Sequence, residues 1–539
     1  MKAGRASFVS TTFRRLLAVK SARGVSFMLS AIPLASKPLG YLRTLITAWV
    51  FGTSPGMDAF HLANSIVTLF AGSIGNALQG AVLPELVRAR HETGSDESSR
   101  TLAAFSAWAV FVLTVVFCAA ILIAPGVLVK FFASGFDSER IQIGALMLWW
   151  LIPIAVVSMC KPVADIWALF TERYTLSSIC SLPFNFLSIP ALLLAIPLIG
   201  VYSVAFSISV SHTVLFILFL YAMHGVPVAV RRGCLPISSL VRIGKNILFT
   251  TTIFAANTFF MVIDRYFASR LPSGSVAAIS YGAVVIGVIA LLSDSSMVFF
   301  LTKLSGAAVS GREKSARITE TALAIALAYF TPIGLFVSAA ARPIVSLLYG
   351  WGNFDANSVD MTVTAISAYC LGVAFSVSAS VLHRYAQAIQ KLDMIVALTF
   401  PLIAVNWLLD WLMVGRWGIM GLALATSVTQ ALGFVLSYAL LIGRGLPSFL
   451  IRSGFFQQTI LSLACAAVPL WLGAFGLIIH SVSALLIASA YFWASERLGI
   501  MPYVPAHWRP TKLVSFFFSS AKSYFQGQRG TKGGDGTFE

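Results

Sequence analysis

The chain has 539 residues, 58% hydrophobic and 11% charged, with a mean hydropathy of +0.86. Soluble globules carry charge on about a quarter of their residues, so this composition excludes one and requires a protein built for the bilayer. The net charge of +17 is read as topology and contact with anionic lipid, and no nucleic-acid partner is expected.

An apolar stretch of about 20 residues crosses a bilayer as a helix, because a helix satisfies each backbone group within its own segment. Such stretches predict fourteen spans, near residues 25–51, 58–86, 101–125, 143–169, 176–198, 200–223, 244–270, 275–304, 318–342, 358–387, 391–414, 418–443, 457–478 and 481–500. Residues 1–35 have the basic start and apolar stretch of a signal peptide. That reading fails because the apolar segment continues through Lys37 and Arg43 to Phe51. With the N-terminus in the cytoplasm, the cations gather in the N-terminal segment, the tail and the even-to-odd loops, and only Lys130, Arg140, Arg270, Arg342 and Arg416 fall outside. This is the bias of the positive-inside rule.

Landmarks recur 218 positions apart. Gly56 answers to Gly274, Phe136-Asp137 to Phe354-Asp355, Pro183 to Pro401, and Gly200 with Ala205, Ser209 and Val210 to Gly418 with Ala423, Ser427 and Val428. Six spans intervene, an even number, so the halves share one orientation and are related by an axis along the membrane normal. The expected architecture is all-α. A basic N-terminus (1–24) precedes an N-lobe of six helices (25–223). A cytoplasmic linker (224–243) leads to a parallel C-lobe of six (244–443), which shares a central cavity with the first. Two further helices (444–500) and a basic, partly disordered tail (501–539) complete the chain.

Six cysteines show no C-x-x-C spacing and read as small hydrophobes. There is no G-x-x-x-x-G-K-[ST] loop, no H-E-x-x-H, no His/Cys cluster of metal spacing and no G-x-S-x-G elbow. The sequence therefore reads as a transporter and not an enzyme, driven by an ion gradient, the membrane potential or its cargo's own concentration difference.

Charges within spans cost about 2.5 to 3.5 kcal/mol each at the bilayer centre, so they should face a cavity or one another. Lys37 and Arg43 in span 1 either snorkel to an interface or line a basic cavity whose guest is a phosphate or pyrophosphate headgroup. Asp58 opens span 2. Lys161 and Asp165 lie four apart on one face of span 4, and form a structural bridge or part of that cavity. In the second half Asp264, Asn406, Asp410 and Thr426 carry oxygen on three spans and make a hard-cation site if they converge. The alternative is that Asp264 pairs with Arg265 and Asn406 with backbone.

Four stretches carry a family resemblance: SKPLGYLRTLITAWVFGTSPGMDAF at 36–60, IDRYFASRLPSGSV at 263–276, YGWGNFDANSVDMTV at 349–363 and NWLLDWLMVGRWGIMGLALATSVTQALG at 406–433. The sequence resembles the MurJ/MviN family of lipid II flippases, in the superfamily that includes multidrug-cation exporters and polysaccharide flippases. The resemblance implies that Lys37 and Arg43 match basic positions of the first helix, Asp58 the acid of a D-A-F motif, and Asp264, Asn406, Asp410 and Thr426 the positions of a sodium site, sodium being the one cofactor expected. It also shows departures. Thr44 replaces an acid, an arginine pair is missing around Ala71-Gly72, and Ala283-Val284 stand in place of Asp-Arg. Anion binding then rests on the first lobe or recruits Lys161 and Arg265.

The expected function is alternating-access transport of a polyprenyl-pyrophosphate-linked saccharide, a peptidoglycan precursor or a related exopolysaccharide unit, across the bacterial inner membrane. The expected protein is a monomer in contact with membrane lipids and with cell-wall or polysaccharide synthesis enzymes. A multidrug cation exporter, a non-transporting scaffold and a glycan ligase are the rivals; the basic first lobe disfavours the exporter, and the lack of a large loop bearing acid and base disfavours the ligase.

Overall fold

The computed structural model describes residues 22–93, 96–171, 183–223, 237–290, 304, 311–443, 445–473 and 476–497. Most of the expected basic N-terminus, the tail 501–539, most of the linker, the start of span 5, much of span 8, Cys180 and Cys234 lie outside the described residues. Among the described residues every regular element is a helix or a helical turn.

Nine described helices are long and apolar enough to cross a membrane, or ten with the pair Gly244–Ala256 and Thr258–Ala268, which is bent by 41°. The chain is thus an all-helical polytopic membrane protein. Two of the longer ones break at a glycine. Leu392–Leu441 has 50 residues, about 75 Å at 1.5 Å per residue against a hydrocarbon core of about 30 Å. It breaks at Gly418, whose φ of 51° and ψ of −130° are non-helical. Asn185–Tyr221 breaks in the same way at a single 3₁₀ turn, Gly200–Tyr202, with Gly200 at φ 54°. These two glycines are related by the 218-residue offset, so the repeat reappears as a matched backbone turn that an L side chain would strain.

The chain forms two compact units, described separately. The first comprises Met1–Val284, Leu348–Thr362 and Ile403–Leu422, and the second Val285–Leu347, Val363–Leu402 and Ala423–Glu539. In the first, helix Ile237–Ala268 packs along Ser73–Thr93, Pro55–Val67 along Ser138–Trp150, and Ile152–Phe170 along Ser73–Thr93 and Ser203–Met223. In the second, Leu323, Leu327, Val377, Val381, Tyr385, Phe434 and Tyr438 form one apolar core. A smaller cluster there joins Phe336 to Ala466 and Tyr491, beside His480, whose Nε2 meets the Ala339 carbonyl at 2.9 Å.

Repeat-related turns of the first unit pair reciprocally. The turn at Gly135 meets the end of helix Ile237–Ala268, its amide donating to Ser269 Oγ at 3.1 Å. The equivalent turn, 218 residues on, meets the end of helix Ala22–Phe51, with the Asn353 amide donating to the Trp49 carbonyl at 2.8 Å and its side chain to the Val50 carbonyl at 2.6 Å. A Cβ on Gly135 would lie 2.6 Å from the Arg270 backbone, and one on Gly52 would strike the Asn353 carbonyl. Positions 52 and 135 are the repeat equivalents of 270 and 353, so one contact is made twice.

Gly418→Ala should lower stability by about 1–3 kcal/mol through backbone strain. Gly415→Ala, at a helical glycine with open space around it, should leave stability unchanged or raise it slightly. Thermal unfolding of the purified variants in detergent compares them, and equal shifts would remove the conformational explanation.

Candidate functional site

Three groups of polar side chains stand out in the first unit. The first surrounds Asp58. Pro55 starts its helix at a position where the missing N–H costs nothing, yet the Asp58 carboxylate caps a different helix, Ser275–Ala290. It accepts from the Gly274 amide at 2.7 Å and the Ala277 amide at 2.8 Å. Arg140 Nη1 lies 3.6 Å away. With 0% of its surface exposed, the carboxylate is held by helix-end amides and a cation. Arg140 is itself oriented by Asp137, at 3.2 Å, and by the Phe136 ring, 4.7 Å from its centre. The Arg140 amide, bonded to Asp137, holds that carboxyl below its ordinary range. Ser358 does the same for Asp355 at the equivalent turn, and the Thr53 and Ser358 hydroxyls meet at 2.7 Å.

The second group is basic. Asn185 donates to Ser36 Oγ and to the Ser36 carbonyl, both at 2.8 Å, which fixes helix Ala22–Phe51 beside helix Pro183–Ile199. Arg43 stands two turns from Ser36 on the same face, half-buried, with Nη1 screened from solvent. Lys37 lies about 120° round the helix from Arg43 and is exposed. Lys161 and Asp165 bridge at 2.6 Å, as their spacing implies, and the Lys161 ammonium sits 5.4 Å from the centre of the Phe219 ring. His212 lies within electrostatic reach of both Arg43 and Lys161. Arg43, Lys161 and His212 thus come from helices Ala22–Phe51, Ile152–Phe170 and Ser203–Met223, of which the last two pack together. Lys37 is on a different face of its helix from Arg43.

The third group is acidic. Asn406 Nδ2 donates to Asp410 Oδ2 at 2.8 Å, and Asp264 lies within electrostatic reach of Asp410. Asn406 and Asp410 are fully buried and Asp264 nearly so. The Oδ1 atoms of Asn406 and Asp410 have no hydrogen-bond partner. Two carboxylates held together away from water share a proton or a cation, and an all-oxygen donor set fits a hard cation such as sodium. Thr426, the fourth residue expected there, belongs to the second unit. Among the described residues no group of three His, Cys, Asp or Glu could hold a metal. Arg265 donates from Nε and Nη2 to Ser280 Oγ at 3.3 Å. Trp407 stacks on Tyr266 with ring centres 5.1 Å apart, so the acidic group is flanked by aromatic rings.

Sequence reasoning missed Arg140 and His212. In the sequence Arg140 reads only as an outside cation, and His212 belongs to no motif. The Phe136-Asp137 landmark was the signal for the first. For the second it was a polar ring within an apolar span.

The family model described as "Lipid II flippase MurJ" matches residues 47–493. The chain belongs to the MurJ lipid II flippase family. This MurJ-family chain is therefore a multi-pass transport protein and not an enzyme. It is 26% identical to the lipid II flippase MurJ of Burkholderia cenocepacia over 437 residues, 77% of this chain and 83% of that one. It is 25% identical to the probable lipid II flippase MurJ of Aquifex aeolicus over 359 residues, 65% and 69% of the two chains. In fold it is similar to a structure of lipid II flippase MurJ in an inward closed conformation, with a TM-score of 0.72 at 18% identity, covering 88% of this chain and 99% of that one. A multidrug resistance MATE family transporter in an inward-facing conformation gives a TM-score of 0.65 at 15% identity, covering 78% and 95%. These last two likenesses are of fold alone.

Lys161→Ala should destabilise this MurJ-family chain by roughly 1–3 kcal/mol, because Asp165 would stay buried without its ammonium. Removing both partners should recover at least half of that loss. A double-mutant cycle on thermal unfolding measures it, and additive losses would show that the bridge contributes nothing.

Proposed function

We propose that the chain translocates a polyprenyl-pyrophosphate-linked saccharide, lipid II or a related exopolysaccharide precursor, across the bacterial inner membrane by alternating access. The observation that carries this reading is the placement of Arg43, its Nη1 screened from solvent, on the face of the helix that Asn185 pins through Ser36. Two cations in an apolar bundle make a receptor for a multiply charged phosphate group, while His212 donates its Nδ1–H to the Ile208 carbonyl at 2.9 Å. Asp165 partly neutralises Lys161, which leaves Arg43 as the principal anion contact. Lys37, exposed on a different face, meets the headgroup earlier on its path.

In this reading fourteen spans form two parallel lobes around the cavity, with both termini cytoplasmic. Asp58 acts as a pin between helices and not as a headgroup ligand, since both its oxygens accept backbone amides. The reciprocal turn contacts of the first unit close one side of the membrane and must part when the cavity opens there. Sodium held by Asp264, Asn406 and Asp410 would supply the bias. A ligand moves such an equilibrium only through its different affinity for the two states. Arg265, turned to Ser280, supports helix packing first and the anion second.

Vesicles reconstituted with a fluorescent lipid-linked saccharide test the proposal. The wild-type chain should expose the headgroup on the opposite leaflet, and Arg43→Ala should slow this at least tenfold. Undiminished transport by that variant would remove the basic receptor, and no transport by the wild type would remove the flippase reading altogether.

In the same vesicles Asp410→Asn should abolish the dependence of rate on sodium. An unchanged sodium response would eliminate Asp410 as a ligand. A multidrug exporter could draw on the same acidic group, and cationic dye efflux without lipid movement would select that second reading.

A further inference from the structure

The second unit carries a polar cleft that the transport reading does not use. It holds about 230 Å³ and is lined by Arg317, Glu320, Thr321, Phe449, Arg452 and Ser453. That is smaller than the roughly 300–1,000 Å³ of sites for drug-sized ligands, so it suits a group of a few heavy atoms. Its place is set by the chain path. The helix Leu446–Arg452 joins two membrane-spanning helices, Leu392–Leu441 and Phe455–Leu472, so it lies at a membrane surface.

The short helix is amphipathic. Phe449 is buried and stacks on Tyr438 with ring centres 5.5 Å apart, while Ile451 is 67% exposed. Beyond Ser453, Phe456 and Ile460 lie four apart on one exposed face of the next helix. The cleft is therefore flanked by apolar surface on its lipid side.

Its charges are mixed in a particular way. Arg452 uses Nε on the Ser448 carbonyl, at 3.2 Å, which leaves its terminal nitrogens for a ligand. Arg317 pairs with Glu313 at 2.7 Å, but both side chains are largely exposed, and a pair of that kind contributes little and is easily exchanged. Glu320 is half-buried and accepts the Tyr438 hydroxyl on Oε1 at 2.8 Å. The Thr321 and Ser453 hydroxyls donate to the Arg317 and Leu450 carbonyls, at 3.0 and 2.9 Å, so an anion here rests on the two guanidiniums. A plain anion would meet the Glu320 carboxylate, and a plain cation would meet two guanidiniums. A group carrying a phosphate next to a primary ammonium satisfies both.

We propose that this cleft binds a phosphoethanolamine group, its phosphate on Arg317 and Arg452 and its ammonium on Glu320. The exposed Ile451, Phe456 and Ile460 favour a phospholipid as the carrier of that group, with its chains along them. The site stands apart from the transported substrate, because its residues lie outside the basic and acidic groups described above.

Native mass spectrometry of the full chain released from nanodiscs containing equal parts of phosphatidylethanolamine, phosphatidylcholine and phosphatidylglycerol provides the test. The wild-type chain should retain phosphatidylethanolamine in preference to both others. Arg452→Ala, at an exposed position that folding does not need, should lower that retention about tenfold, the effect of one charge-assisted hydrogen bond. Glu320→Gln can still accept from Tyr438 but should lose the discrimination between the primary and the trimethylated ammonium. A parallel titration with soluble O-phosphoethanolamine separates the sources. Binding of that compound without retained lipid would keep the site and assign it a soluble ligand. Equal retention of the three lipids together with no binding of the soluble compound, or adducts unaffected by Arg452→Ala, would overturn the proposal.

Discussion

A carboxylate sealed from water must find every partner inside the protein, and Asp58 is where this chain meets that demand most completely. Two amides of helix Ser275–Ala290 and the Arg140 guanidinium surround it. The arrangement works because a helix start presents unsatisfied N–H groups and a positive dipole end. A neutral cap would satisfy the amides but leave the Arg140 guanidinium to the Asp137 carboxylate. The same contact fixes the start of one span against the start of another, and the neighbouring turns are built around it.

Those turns show how a duplicated chain can lock itself. Gly135 against Arg270 and Gly52 against Asn353 are the same contact made by each half of the repeat upon the other. Each depends on a missing Cβ, since backbone meets backbone at distances no side chain allows. Hydrogen bonds from Asn353 to Trp49 and Val50 and from Gly135 to Ser269 then compensate the polar groups that such close approach buries. Beside the second of these contacts Tyr281, Tyr349 and Phe354 are buried and packed ring on ring, and the Tyr281 hydroxyl donates to the Gly52 carbonyl at 3.2 Å.

The charged groups away from these turns divide by sign. Arg43 and Lys161 with His212 form the basic group, and Asp264 and Asp410 with Asn406 the acidic one. Each is costly in an apolar setting, and each is resolved differently. Lys161 is satisfied internally by Asp165 and by the face of Phe219. Asp410 keeps one oxygen without a partner, and an orphan acceptor beside a second carboxylate is the sort of group that a bound cation completes. The cleft around Arg452 and Glu320 mixes both signs at a membrane surface, where water moderates the cost.

Membrane class, helical content, repeat offset and the pair Lys161 with Asp165 were all legible in the residue order. The reason is that each depends on neighbours within a turn or a span: the bilayer demands local backbone satisfaction, and i,i+4 spacing makes a shared face. The bond from Asn406 to Asp410 was not: in the residue order the two read as parts of a shared cation site, or Asn406 as bonded to backbone. Gly200 and Gly418 were legible as repeat landmarks, although their role as matched breaks within long helices needed backbone angles. The partners of Asp58 lie 216 and 219 residues away, and nothing in a D-A-F stretch announces that its acid caps another helix. Nor does spacing tell that Lys37 and Arg43 part company round their helix in what they face, that His212 joins the basic group, or that Arg265 turns to Ser280. Those matters are decided by which helices pack together, because burial and long-range contact, unlike local periodicity, exist only once the chain has folded.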